Sequence, residues 1–203
     1  MNFRYNFSIV LMVLGIIAAI MSFRAKSPNV VPPEEILSAV LSGNYELTSD
    51  ELAAAIVNQD PGLLIVDIRN AEDYKASSLP GAVNLPFTSI LDEEGLLSAS
   101  DNQISTVLYG NNEVQVNQAW MLARQIGIQK VYILAGGLPS WDSIIMKSAF
   151  TGETISPQEN ALYEKRYKAR RLFVQWNAMP DSLKAGFFAA RQMKEKELVG
   201  GCE

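Results

Sequence analysis

Histidine is absent from all 203 residues. Its absence removes the side chain that most often serves as general base and metal ligand near neutral pH. Cysteine occurs once, as Cys202. A single thiol forms no disulfide within the chain and builds no cysteine-based zinc site. No metal and no cofactor is expected. Positive charge is scarce in the middle of the chain: residues 45–150 carry 13 acids against 5 bases. Phosphate backbones are gripped by a basic footprint, so a nucleic-acid partner is not expected either. Internal repeats and low-complexity tracts are also lacking.

What is present suits a globular protein. Hydrophobic residues make up 48% of the chain, enough for a packed core. The length allows one ordinary domain with extensions. Net charge is −5, but residues 151–203 reverse the local sign with 9 bases against 7 acids.

Charge is missing from Asn6 to Phe23. The apolar run of about 17 residues covers roughly 25 Å as a helix, near the lower limit for crossing a bilayer. The expectation is a single-pass membrane anchor over residues 7–23. A cleaved signal and a buried helix are the alternatives, and the bulky Ile20-Met-Ser-Phe-Arg24 lacks a small-residue cleavage pattern. Arg4 on one side balances Arg24 and Lys26 on the other, so orientation is not fixed by charge. The segment opens the chain as an export signal does, which favours an extracytoplasmic or periplasmic soluble part.

Four regions follow: an anchor over 1–26, a linker with a short helix over 27–44, a domain over 45–150 and a helical extension over 151–203. Pro28, Pro32 and Pro33 stiffen the linker. Apolar spacing predicts a helix over Glu34–Leu41. Thr48 with Glu51 forms a capping-box pattern that opens a helix to about Asn58. Leu63–Ile68 is a continuous apolar run, as expected of a strand buried on both faces. Further strands are expected at Ala82–Leu85, Thr106–Tyr109 and Val131–Leu134. A helical turn is expected at Glu72–Ser77, and a helix at Gln115–Ile126 with Val116, Ala119, Trp120, Ala123 and Ile126 inward. Strands alternating with helices predict a parallel α/β sheet. The extension reads as two helices, Pro157 to about Met179 and Leu183 to about Leu198, before a Gly200-Gly-Cys-Glu203 tail.

Several segments carry more specific information. Asp67-Ile-Arg69 is followed by Glu72 and Tyr74. Pro80-Gly81-Ala82 is followed by Asn84 and Pro86, and Gly136-Gly137 by Trp141. In this order and spacing they resemble the rhodanese family of the sulfurtransferase superfamily, over residues 45–147. The resemblance implies a parallel sheet flanked by helices, here with an N-terminal transmembrane helix and a C-terminal helical extension. It also implies a loop of the form Cys-x-x-Gly-x-Arg after the strand ending at Tyr109. That cysteine carries sulfur as a persulfide, inward N–H groups stabilise the anion, and the arginine attracts anionic donors.

The loop is where this chain departs. Gly110, Asn111, Asn112, Glu113, Val114 and Gln115 fill its six places without a gap. Gly110 has no nucleophile, and no neighbouring side chain replaces a thiolate. Gln115 lacks the positive charge. Glu113 sets a carboxylate beside a cradle meant for anions, at a cost of about 1–4 kcal/mol. A small-molecule sulfur donor is not expected there, nor a related cysteine-dependent phosphatase chemistry.

Other candidates have plainer readings. The resemblance makes Asp67 and Arg69 a structural pair. Glu72 and Asp73 are adjacent and face different ways on a helical turn. Asp92-Glu-Glu94 reads as a solvated loop without a calcium-binding pattern. Trp120 and Trp141 are expected in the core. The basic face of Lys165, Arg166, Lys168, Arg170 and Arg171 admits packing with a solvated side, anionic lipid or a protein partner. Cys202 is an incidental tail thiol, a sulfur carrier or the site of an intermolecular disulfide, and nearby Glu197 and Glu203 work against its thiolate. The expectation is a catalytically inactive, membrane-tethered binding or scaffolding module. A sulfur-relay protein using Cys202 is the alternative.

Overall fold

The computed structural model describes residues 12–13, 31–90, 104–149 and 156–188. Met1–Val30 separates from Val31–Glu203 as a unit of its own, and only Met12 and Val13 of it are described. The architecture below is that of the second unit.

Five strands form one parallel sheet: β1 (Glu46–Leu47), β2 (Leu63–Asp67), β3 (Ala82–Asn84), β4 (Ser105–Tyr109) and β5 (Val131–Leu134). Their spatial order is β1-β5-β4-β2-β3. In register, Ile65 lies between Ala82 and Val107, and Leu108 faces Ile133. Helices α1 (Pro33–Ser42), α2 (Ser49–Val57), α3 (Ala71–Ala76), α4 (Phe87–Ile90), α5 (Glu113–Gln125), α6 (Gly137–Trp141) and α7 (Pro157–Ala178) connect and follow the strands. A π-helical turn, Asp142–Met146, extends α6, and residues 181–188 are helical.

Alternation along each strand divides the core in two. Leu63, Ile65, Val107 and Tyr109 point to one face and pack with Leu52, Ile56, Trp141, Ile145 and Ala169. Val66, Leu108, Val131 and Ile133 point to the other and pack with Val116, Ala119, Trp120 and Ala123. A sheet covered on both faces leaves little polar alternation, hence the continuous apolar strands. The two tryptophans expected inside are each 1% exposed, and Trp120 Nε1 donates to the Val131 carbonyl at 2.9 Å.

Local signals place the helices. Thr48 Oγ1 accepts from the Glu51 N–H, while the Glu51 carboxylate accepts from the Thr48 N–H at 2.9 Å. Ser156 and Glu159 repeat this reciprocal cap at the start of α7. Each box satisfies N–H groups that the first helical turn leaves without partners.

Helix α7 divides the basic face expected from the sequence. The Arg166 guanidinium donates to both Asp50 oxygens, at 2.7 and 2.6 Å. Arg170 donates to the Ile145 carbonyl and to Ser148. Lys165, Lys168 and Arg171 stay exposed. At the far end, Trp176 Nε1 donates to Ser78 Oγ at 3.0 Å, and the Asn177 amide bonds both backbone groups of Ser78. Two arginines and this amide clamp thus fix the extension to the sheet domain.

The expected transmembrane helix is corrected. Among the described residues, no helix is long and apolar enough to cross a membrane. Helix α7 has the length, 22 residues, but its charged side chains are incompatible with a hydrocarbon core. Residues 7–23 themselves lie outside the described residues, apart from Met12 and Val13. The single-pass anchor, the membrane as a partner and the extracytoplasmic placement argued from it lose their support together. Asp92-Glu-Glu94, Cys202 and the second half of the last predicted helix also lie outside the described residues.

Candidate functional site

The loop that should hold a nucleophile begins where β4 ends. Gly110 is buried, and residues 111–115 are exposed. A Cβ added at Gly110 would stand 3.1 Å from Ile68 Cγ1 and 3.3 Å from Val116 Cγ2. Two branched apolar side chains therefore crowd the place where a side chain would begin, and each would have to give slightly to admit one.

The N–H groups of the loop are already engaged. Asn112 caps α5: its Oδ1 accepts from the Val114 N–H at 3.0 Å and the Gln115 N–H at 3.4 Å. The Asn112 carbonyl takes the Val116 N–H at 3.1 Å. A helix N-terminus attracts anions through just such N–H groups. Here a neutral side chain occupies two of them, and Glu113 adds a carboxylate to the same turn. An asparagine immediately before a helical pattern is a cap signal, but the helix was expected to begin at Gln115 and begins at Glu113, so the cap was missed. What no pattern of spacing disclosed is the approach of Ile68 and Val116 to Gly110.

The Gly136-Gly137 turn braces the loop from the opposite side. Both glycines have positive φ, 65° and 55°. A Cβ on Gly137 would lie 2.5 Å from the Gly110 carbonyl oxygen, and the Leu138 N–H donates to that oxygen at 3.4 Å. Close backbone approach and left-handed φ together demand glycine here.

Beside the loop, the ends of β2 and β3 hold a buried polar network. Asp67 is fully buried. Its carboxylate accepts from the Arg69 N–H at 2.9 Å, from Nε at 3.0 Å and from Nη2 at 2.6 Å. Asn84 Nδ2 donates to the Asp67 and Arg69 carbonyls. Burial works to lower the Arg69 pKa, but the hydrogen bond and charge of Asp67 outweigh it and the net direction is up. Every charge in the pair is met inside the fold, consistent with a structural role. Glu72 and Asp73 open α3 beside Asn70, whose Oδ1 accepts the Asp73 N–H.

Tyr109 completes the network, with its hydroxyl accepting the Leu79 N–H at 3.1 Å. Burial, aided by the nearby Asp67 charge, raises this phenol well above its ordinary pKa. Below pH ~10 the phenol is neutral in folded and unfolded chains alike, and its contribution to stability is fully present. Above that value the unfolded phenol ionises while the folded one does not. Stability should then fall with rising pH by up to ~1.4 kcal/mol per unit. Tyr109→Phe should remove that part of the slope and cost about 1–3 kcal/mol at neutral pH, because the Leu79 N–H loses its acceptor. Urea midpoints at neutral and strongly alkaline pH check both effects.

The family assignment rests on comparison as well as geometry. The rhodanese-like domain family matches residues 48–144. A thiosulfate sulfurtransferase GlpE of Pseudomonas entomophila (strain L48) is 30% identical over 112 residues, covering 54% of this chain and 92% of that protein. The chain belongs to the rhodanese-like domain family. Among solved structures, the Alr3790 protein from Anabaena sp. shares 23% identity over 62% of this chain and 98% of its own, with a TM-score of 0.45. A shorter match, 47% identical over 38 residues, links the chain to a mouse TBC domain-containing protein kinase-like protein. It spans 19% of this chain and 4% of that protein.

The expected membrane-tethered binding module is corrected at this point. No described helix supplies a tether, and similarity to a named sulfurtransferase favours the sulfur-relay alternative. Among the described residues no cluster of acidic or cysteine side chains could hold a metal ion.

Proposed function

We propose that this chain takes part in sulfur transfer through Cys202, and that its 110–115 loop carries no sulfur. The observation behind this reading is the position of the chain's one thiol, at Cys202 instead of the loop, in a protein similar to a thiosulfate sulfurtransferase. The capped N–H groups at Val114 and Gln115 support the second half of the reading. So does the apolar crowding around Gly110.

The chemistry balances without a cofactor. The Cys202 thiolate attacks the outer sulfur of thiosulfate, forming a new S–S bond. The old S–S bond breaks, and sulfite leaves with its electron pair. Cyanide then takes the terminal sulfur as thiocyanate and returns the thiolate. A protein thiolate can replace cyanide as acceptor by the same step.

The test is sulfur transfer by the full chain from thiosulfate to cyanide, followed with mass spectrometry. The expected result is one added sulfur on Cys202 and thiocyanate release, both abolished in Cys202→Ser. Absence of adduct and of turnover would overturn the proposal and leave a domain without sulfur chemistry.

A further inference from the structure

A cavity of about 370 Å³ opens between α2, the start of β2 and the end of α7. It is not part of the loop site. All strand pairings are parallel, so the start of β2 and the end of its neighbour β4 lie at opposite ends of the strands. The cavity walls are mostly apolar, with Ile56, Leu63, Leu172, Trp176 and Phe187 among them. Gln59, Asp60 and Gln175 are its polar lining residues, and all three are exposed.

Three features distinguish this cavity from loose packing. First, one wall is held in place. Trp176 is bonded to Ser78 and stands edge to face with Phe187 at 5.3 Å. A preformed wall is what small-molecule sites generally show. Second, Gln59 has φ 52°, and no other described residue except glycine has positive φ. It sits just past the end of α2. There its N–H bonds the Ile56 carbonyl while the Asp60 N–H bonds the Ala55 carbonyl. That is the helix-ending geometry that glycine normally fills, and a side chain there costs about 1 kcal/mol. The chain places an amide at the cavity mouth despite that cost. Third, the space is more than twice the roughly 150 Å³ that admits a benzene molecule in an apolar protein cavity.

We infer that this cavity binds a small uncharged molecule, largely apolar, with a hydrogen-bonding group at one end. The apolar part lies against Leu63, Leu172 and Trp176, and the polar end faces the amides of Gln59 and Gln175. The carboxylate of Asp60, with Oδ1 accepting the Gly62 N–H at 2.8 Å, disfavours an anionic end at the same mouth. The volume suits about ten to twenty non-hydrogen atoms.

The probe is N-phenyl-1-naphthylamine, an uncharged aromatic amine that brightens in apolar surroundings and accepts energy from tryptophan. Titrated into the full chain, it should bind saturably with one equivalent, and 1-decanol should displace it better than decanoate does. Ala55→Phe places a ring in the cavity and should weaken probe binding at least tenfold without lowering the melting midpoint. If that variant does not fold, the decanol-over-decanoate preference on the unaltered protein decides. Absence of saturable binding, equal displacement by the two competitors, or unchanged affinity in folded Ala55→Phe overturns the inference. Concentration-dependent self-association that Ala55→Phe abolishes, with no probe bound, would assign the cavity to a second copy of the chain and overturn it as well.

Discussion

Arg69→Ala should destabilise the domain by about 3–5 kcal/mol, the effect of leaving one member of a buried ion pair without its partner. The Arg69 side chain is 8% exposed and that of Asp67 fully buried. Removing the guanidinium takes away two donors from the Asp67 carboxylate and one from the Ser77 carbonyl. The Arg69 N–H remains on Asp67 Oδ1 but neutralises no charge. Replacing both residues together, by Asp67→Asn with Arg69→Met, should cost less than Arg69→Ala alone, since the buried charge goes with its partner. Urea unfolding of the two variants compares them directly. Equal destabilisation by both would show that the charge pair itself matters little.

Gly137→Ala should be comparably severe, at least ~3 kcal/mol. An alanine at φ 55° already costs about 1–2 kcal/mol from its left-handed backbone. Its Cβ would also lie 2.5 Å from the Gly110 carbonyl oxygen, and backbone, unlike a long side chain, cannot swing aside. The loop and the Gly-Gly turn would separate, and the hydrogen bond from Leu138 to Gly110 would be lost. A thermal melt of the variant measures this. A near-unchanged midpoint would mean that the two segments move apart freely, and that the bracing described here does not constrain the loop.

These two sites also mark what the sequence made legible. The strands were readable because burial on both faces leaves long apolar runs, as in Leu63–Asp67. The capping box at Thr48 was readable because its partner lies three residues on, while the same pattern at Ser156 and Glu159 was passed over. Strand β1 was not, because two residues, Glu46–Leu47, are too short to show any period. Nor was the packing around the loop. Ile68 and Val116 converge on Gly110 from different elements, and no local pattern encodes such a meeting. The cavity beside Trp176 is of the same kind, built from segments more than 100 residues apart in the chain. The apolar run near the N-terminus shows the opposite error. Hydropathy of residues 7–23 suggested a bilayer span, but no described helix has that character.

The protein's chemistry turns on where sulfur resides. In this family the nucleophile belongs at the start of the β4–α5 loop. Here that place is a glycine packed against Ile68 and Val116, while a single thiol remains at Cys202. The most direct measurement is peptide-level mass spectrometry of the full chain after exposure to thiosulfate. One sulfur atom added to the peptide containing Cys202, and removed by cyanide, is the expected result. A chain that stays unmodified under these conditions, with Cys202 intact as a plain thiol, would contradict it.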